Sequence, residues 1–159
     1  MIPLTRTRTG NNVIGFRTFV RRRYGMDGKR VLVVDDEEDV ALYFATLLES
    51  HGFVPSCSFT AEEALRSIRV DPPDVIVLDV MMPGRGGLNL FAELKGNETY
   101  RRIPVVIVTG IDSKTGCDFA SFVKKLRVRI PEGYVQKPVD PERFVQTVCT
   151  AMTQGAAAQ

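Results

Sequence analysis

The sequence predicts a parallel α/β domain in which five strands alternate with five helices. Short β-branched apolar runs, such as residues 31–34 and 75–78, are hydrophobic on both sides, as in strands that are buried on both faces of a sheet. Between these runs, apolar residues recur at helical spacing, as Val40, Phe44 and Leu48 do. This alternation favours a doubly wound sheet with helices on both faces.

Each element has its own local signals. The strands are predicted over residues 31–34, 53–58, 75–78, 105–108 and 134–136. Five helices are predicted, each from one group of apolar residues. These groups are Val40–Leu48; Ala64, Leu65 and Ile68; Leu88, Phe91 and Leu94; Phe119, Phe122, Val123 and Leu126; and Phe144, Val145, Val148, Cys149 and Met152. Thr60 and Glu63 have the spacing of a capping box, and Asp140 followed by Pro141 is typical of a helix start.

Composition excludes several classes of protein. Of the 159 residues, 44% are hydrophobic and 25% are charged, which is the balance of an ordinary globular domain. No apolar run is long enough to cross a bilayer or to serve as a secretory signal. Cys57, Cys117 and Cys149 lack metal-ligand spacing and are expected to be buried or half-buried thiols, so we expect the protein in the reducing cytoplasm.

Charge divides the chain into a basic arm and an acidic body. Residues 1–30 carry a net charge of +7, whereas the whole chain carries only +2. We expect residues 1–27 to form a flexible basic extension. It is interpreted either as a disordered tail or as a segment upstream of a true start at Met26. Arg21, Arg22 and Arg23 also fit contact with nucleic acid or an anionic membrane, which we regard as the less favoured alternative.

Polar side chains stand at the carboxyl ends of the predicted strands. Asp35 and Asp36 follow the first strand, Asp79 the third, Thr109 the fourth and Lys137 the fifth. If the first and third strands are neighbours, the three carboxylates share one crevice, as ligands bind beyond the strand ends in such folds. Carboxylates this close fit Mg²⁺, and a carboxylate beside Mg²⁺ and a lysine can become an aspartyl phosphate.

These residues and their surroundings resemble the receiver (CheY-like) domain of bacterial two-component response regulators. The matching segments are Asp35-Asp36, the run of residues 75–83 that contains Asp79, Thr109-Gly110, and Lys137-Pro138. The resemblance covers residues 28–153 and leaves residues 154–159 as a tail. It implies a flavodoxin-like sheet of strand order 2-1-3-4-5 and a single-domain response regulator in a phosphorelay.

The resemblance also assigns roles to individual residues. It makes Asp79 the phosphoacceptor and implies that Asp36, Asp79 and the backbone carbonyl of Met81 bind Mg²⁺ directly. Asp35 would hold a metal-bound water, and Thr109 would move toward the phosphoryl group.

Two further residues complete the implied switch. Lys137 would pair with the phosphoryl oxygens, and its bond to Pro138 is expected to be cis. Tyr134 matches the aromatic switch position and would rotate inward, although a half-buried strand aromatic is the simpler interpretation of this tyrosine. Phosphorylation would then bias the last two helices and the fifth strand between two states.

Two departures from the family pattern stand out. The segment between Thr109 and Lys137 is several residues longer than usual, with the excess expected within residues 127–133. Met81 and Ile111 are apolar at positions that tune attack by water on the phosphoryl group in the family. The apolar side chains of Met81 and Ile111 predict a long-lived phosphorylated state.

The implied partners are a sensor histidine kinase or a histidine phosphotransfer protein, together with an unidentified downstream protein. Nucleic acid is not expected as a partner, and a homodimer is left open. A phosphohydrolase would need a second acid two residues after its nucleophile, where this chain has Met81. Beyond self-phosphorylation and slow self-dephosphorylation we therefore expect no enzyme activity. A degenerate receiver that docks partners without phosphorylation is the other alternative.

Overall fold

The computed structural model describes residues 25–84, 86–110, 124 and 129–157. Its strands are β1 (Arg30–Val34), β2 (Val54–Ser58), β3 (Val75–Asp79), β4 (Val105–Thr109) and β5 (Gly133–Gln136), and its helices are α1 (Glu38–Glu49), α2 (Ala61–Val70), α3 (Gly86–Gly96) and α4 (Pro141–Ala157). The strands form one parallel sheet in the order β2-β1-β3-β4-β5, which confirms the predicted fold class and strand order. The helix predicted around Phe119–Leu126 lies outside the described residues.

The register of the sheet aligns the carboxyl ends of its central strands. Val34 of β1 pairs with Leu78 of β3, so the next residues along the chain, Asp35 and Asp79, fall at the same edge. Thr109 of β4 pairs with Gln136 of β5, the residue before Lys137. The polar residues singled out in the sequence therefore meet at one edge of the sheet.

Alternate residues of the central strands β1, β3 and β4 enter two separate cores. Val31 and Val33 of β1 face a core shared with α1 and α4, where the rings of Phe44 and Phe144 lie 4.7 Å apart between centroids. Leu32 of β1 faces the opposite core, which contains residues of α2 and α3. Helices thus cover both faces, which explains why the central strands are apolar throughout.

The predicted helix starts are confirmed by their hydrogen bonds. The Thr60 hydroxyl accepts from the Glu63 amide at 3.1 Å. The Glu63 carboxylate accepts from the Phe59 amide at 2.9 Å, one residue earlier than in the usual capping box. The Asp140 carboxylate accepts from the Arg143 amide at 2.8 Å, which caps α4.

The packed body is longer at both ends than residues 28–153. Met26 is buried in the core, and the Gly28 amide donates to the Gly52 carbonyl at 2.9 Å. At the other end α4 continues to Ala157, within the segment expected to be a frayed tail. In this segment Gly155 packs closely against Pro104, where an added Cβ would lie 2.5 Å from the proline ring.

The described cysteines behave as the sequence indicates. Cys57 is half-buried and Cys149 is buried, and both are free thiols. Burial raises the pKa of Cys149 to about 11, so this thiol stays protonated and unreactive at neutral pH. Cys117 lies outside the described residues. None of the helices in the described parts of the chain has the length and hydropathy of a membrane span.

A buried ion pair between Lys95 and Glu132 lies at the amino ends of β4 and β5, an edge that we call the base of the sheet. Lys95, at the end of α3, donates to the two Glu132 carboxylate oxygens at 2.7 and 2.9 Å and to the Ile103 carbonyl at 2.9 Å. The Val105 amide also donates to the Glu132 carboxylate, at 2.8 Å. Burial lowers the pKa of Lys95, and the hydrogen bond and charge of Glu132 oppose that effect. The pair ties α3 to the start of β5.

Replacing Lys95 by methionine is expected to lower the free energy of unfolding by about 3 kcal/mol, because the Glu132 carboxylate then lacks its cation. The matched control is Lys29→Met, which breaks the exposed pair of Lys29 with Asp74 at 3.3 Å and should cost less than about 1 kcal/mol. Urea unfolding of the two variants measures both values. Equal losses would contradict the structural role given to the buried pair.

Candidate functional site

Three carboxylates meet at the carboxyl edge of the sheet. The carboxylate oxygens of Asp35, Asp36 and Asp79 lie within 4.8 Å of one another. Asp35 and Asp79 are buried, whereas Asp36 is exposed. The sheet register brings them together because β1 and β3 are neighbours and end at the same level. The crevice expected from the sequence is therefore present.

Each oxygen of the Asp79 carboxylate accepts a hydrogen bond. One carboxylate oxygen, Oδ1, accepts from the Met81 amide at 2.8 Å. The other, Oδ2, accepts from Lys137 Nζ at 2.9 Å. An ionised carboxylate has about four acceptor positions, so these two donors orient the group and leave lone pairs available for reaction.

Asp35 shares the same lysine. Its Oδ2 accepts from Lys137 Nζ at 3.3 Å, and its Oδ1 accepts from the Glu37 amide at 2.9 Å. Burial raises the pKa of Asp35 above its ordinary value, and the charge of Asp79 adds to that rise. The Glu37 hydrogen bond and the Lys137 charge counteract it. A cation placed among the carboxylates would oppose the same rise.

Lys137 is anchored through its backbone as well as its side chain. Its amide donates to the Thr109 carbonyl at 2.9 Å, and its bond to Pro138 is cis, as the resemblance led us to expect. Burial by itself would lower the pKa of Lys137. The hydrogen bond that Lys137 donates to Asp79 and the charges of Asp79 and Asp35 outweigh burial and raise the pKa of Lys137. The ammonium group is therefore charged at neutral pH.

The two residues of the expected switch lie on neighbouring strands. Thr109 is fully buried at the end of β4. Tyr134 is the second residue of β5, pairs with Ile107 of β4 and is 42% exposed, so slightly more than half of it is buried.

The loop after Asp79 depends on glycine. Gly84 and Gly86 have positive φ angles of 71° and 66°, a conformation that side chains rarely adopt. At Gly87, an added Cβ would lie 2.0 Å from the Asp79 carbonyl oxygen. The first turn of α3 therefore packs directly on the backbone of Asp79. The sequence pattern contained Gly87 without indicating this contact.

The donor set fits a hard divalent cation. The cluster consists of carboxylate oxygens, which Mg²⁺ prefers, and Lys137 alone does not balance three negative charges. Met81 is 60% exposed beside Asp79, so the loop that carries it is open to solvent. Ile111, the other apolar position singled out in the sequence, lies outside the described residues.

Comparison with known proteins identifies the family. The sequence model of the response regulator receiver domain family matches residues 31–149. The chain belongs to this receiver family. The match includes β1 to β5, the acidic cluster and Lys137, so this receiver has the fold and the site within one continuous segment.

Individual relatives agree with this assignment. The polar-differentiation response regulator DivK of Brucella ovis is 32% identical over 120 residues, which cover 76% of this chain and 93% of DivK. The receiver domain of the Francisella response regulator 1452 superposes with a TM-score of 0.67 at 28% identity, covering 80% of this chain and 98% of that domain. A CheY-like receiver from Methanospirillum hungatei, at 21% identity and TM-score 0.70, supports the fold; it covers 84% of this chain and all of its own. The protein is thus a response regulator of the two-component type.

Substitution of Gly87 tests how closely α3 must approach Asp79. We expect Gly87→Ala to lower the free energy of unfolding by about 2 kcal/mol, because its Cβ overlaps the Asp79 backbone. Gly96→Ala, at the other end of α3, meets no atom within 4 Å and should be neutral or stabilising by up to about 1 kcal/mol. Chemical denaturation distinguishes the two variants, and similar midpoints would show that the approach is not required.

Proposed function

We propose that Asp79 accepts a phosphoryl group from a phosphohistidine of a sensor kinase or of a histidine phosphotransfer protein. The observation that carries the proposal is the placement of Lys137 Nζ 2.9 Å from Asp79 and 3.3 Å from Asp35 within the three-carboxylate cluster. An Asp79 oxygen forms a bond to phosphorus as the phosphorus–nitrogen bond breaks. The imidazole keeps the electron pair of the broken bond.

Asp36, Asp79 and the Met81 carbonyl would hold Mg²⁺ directly, and Asp35 would hold one of its waters. When bound, the ion would offset negative charge on the carboxylates and on the transferring oxygens. Lys137 supplies a second, permanent positive charge, with its Nζ 2.9 Å from Asp79 Oδ2. Its bridge to Asp35 keeps the ammonium group in place before a phosphoryl group arrives.

The response to phosphorylation would begin at Thr109 and Lys137. The Thr109 hydroxyl would donate to a phosphoryl oxygen, and the Lys137 ammonium would pair with another. Because Lys137 directly follows β5, movement there would reach Tyr134, three residues earlier. An inward turn of Tyr134 would then change the surface that a downstream protein meets, in the cytoplasm where such partners are expected.

Intact-mass measurement after incubation with Mg²⁺ and acetyl phosphate tests the acceptor. We expect the protein to gain one phosphoryl mass, and Asp79→Asn to gain none because its amide cannot attack phosphorus. Chelation of Mg²⁺ should also prevent the gain.

Asp74→Asn is the matched control for this experiment. Asp74 lies just before β3 and outside the cluster, where it pairs with Lys29, so its replacement should leave phosphorylation unchanged. Absence of any mass gain in the folded wild-type protein would favour a docking module that works without phosphorylation. A gain that persists in Asp79→Asn would place the acceptor elsewhere.

The exposed thioether of Met81 leads us to expect slow hydrolysis of the phosphorylated state. Met81 offers no hydrogen-bond donor to position an attacking water, whereas Met81→Asn would supply one and should shorten the lifetime several-fold. Loss of phosphoryl mass is followed over time after removal of acetyl phosphate. Val70→Asn, a change at an exposed apolar residue at the end of α2, should leave the decay unaltered. Rapid decay of the wild-type protein would contradict the expectation.

A further inference from the structure

A second concave surface lies at the edge of the sheet opposite to Asp79. It is a cavity of about 350 Å³, formed by residues that precede β4 and β5 and by the end of α4. Because the strands are parallel, the amino ends of β4 and β5 meet at this base, whereas Thr109 and Lys137 stand at the other edge. The cavity is therefore separate from the proposed phosphoryl-acceptor site.

The described lining of this cavity is positively charged. Arg102 and Arg129 contribute guanidinium groups, and Glu132 contributes a carboxylate. The Glu132 carboxylate is already paired with buried Lys95, at 2.7 and 2.9 Å, and accepts from the Val105 amide. Within the described residues, neither guanidinium has an ion-pair partner. Two positive charges are thus left to face the space.

The lowered pKa of Lys95 agrees with a positive electrostatic potential at the base of the sheet. Burial lowers the pKa of this lysine most strongly, and the charge of Arg129 lowers it further. Glu132 opposes both effects without cancelling them. Among the described residues, the base of the sheet therefore carries Lys95, Arg102 and Arg129 around the Glu132 carboxylate, which is an arrangement that favours a further anion.

The rest of the described lining is apolar except for Gln154. Ile130 is 75% exposed at the rim, Pro131 is half-buried, and Gly155 leaves the wall without a side chain. A volume of about 350 Å³ lies at the lower end of the range for small-molecule sites. The space would accommodate a compact molecule with one charged end and one apolar part.

We propose that this cavity binds a small organic anion, either a carboxylate or a phosphate monoester. Its acidic oxygens would pair with Arg102 and Arg129, since a guanidinium matches both groups with two parallel hydrogen bonds. Its apolar part would lie against Ile130 and Pro131. The site would give this receiver a ligand input that does not pass through Asp79.

Titration of the ¹⁵N-labelled full chain with phenyl phosphate, in the absence of Mg²⁺, tests the proposal. We expect saturable amide shifts at Arg102, Glu132 and Gln154 and no comparable shifts at Asp35 or Asp79. Benzoate serves as the carboxylate probe, so the relative affinities of the two compounds show which anion the site prefers. Phenol, which is uncharged at neutral pH, should produce no saturable shift.

Charge-neutralising variants identify the residues responsible. Arg102→Gln and Arg129→Gln should each weaken binding by about tenfold, as expected for loss of one charge-assisted contact. Arg143→Gln, an exposed change on α4 outside the cavity lining, is the matched control and should bind as the wild type does. The two cavity arginines are exposed, so the variants should retain the amide dispersion of the folded chain. Binding that survives both cavity changes, or shifts confined to residues 1–24, would overturn the proposal.

Discussion

The bridge from Lys137 Nζ to Asp79 and Asp35 is the interaction on which the site depends. Two buried carboxylates this close would repel each other, and burial already raises the pKa of Asp35. The shared ammonium group reduces that repulsion and holds both carboxylates in place. It can do so only because β5 ends beside Thr109, whose carbonyl accepts from the Lys137 amide. The chemistry thus rests on the alignment of parallel strand ends.

Helix α3 connects the two ends of this arrangement. Its first turn lies against the Asp79 backbone at Gly87, and its last turn carries Lys95, whose ion pair with Glu132 fastens the start of β5. A single helix therefore sets the approach to the acceptor and the position of the strand that leads to Lys137. A side chain at position 87 and loss of the Lys95 charge would therefore destabilise the same helix at its two ends.

Sequence patterns predicted the parts of the molecule that follow from local rules. Strand ends marked by Asp79 and Thr109 were identified because buried parallel strands leave continuous apolar runs with a polar residue at the end. Lys95 was missed because nothing in its helix distinguishes a lysine that is buried by a distant glutamate from one in solvent. Residues 154–159 were expected to form a tail, whereas α4 continues to Ala157, and the contact of Gly155 with Pro104 becomes visible only in the tertiary structure.

The two charged regions of this receiver act independently through space. β4 has five residues, and a parallel strand of that length spans about 16 Å. Coulomb attraction falls with distance, so a charge that far away acts several times more weakly than Lys137 Nζ does at 2.9 Å from Asp79. The cations at the base therefore contribute little to stabilising the acidic cluster, and this is why Lys137 has to lie within it. An influence of one end on the other would have to pass through packed elements, and α3 and β5 are the ones that reach both.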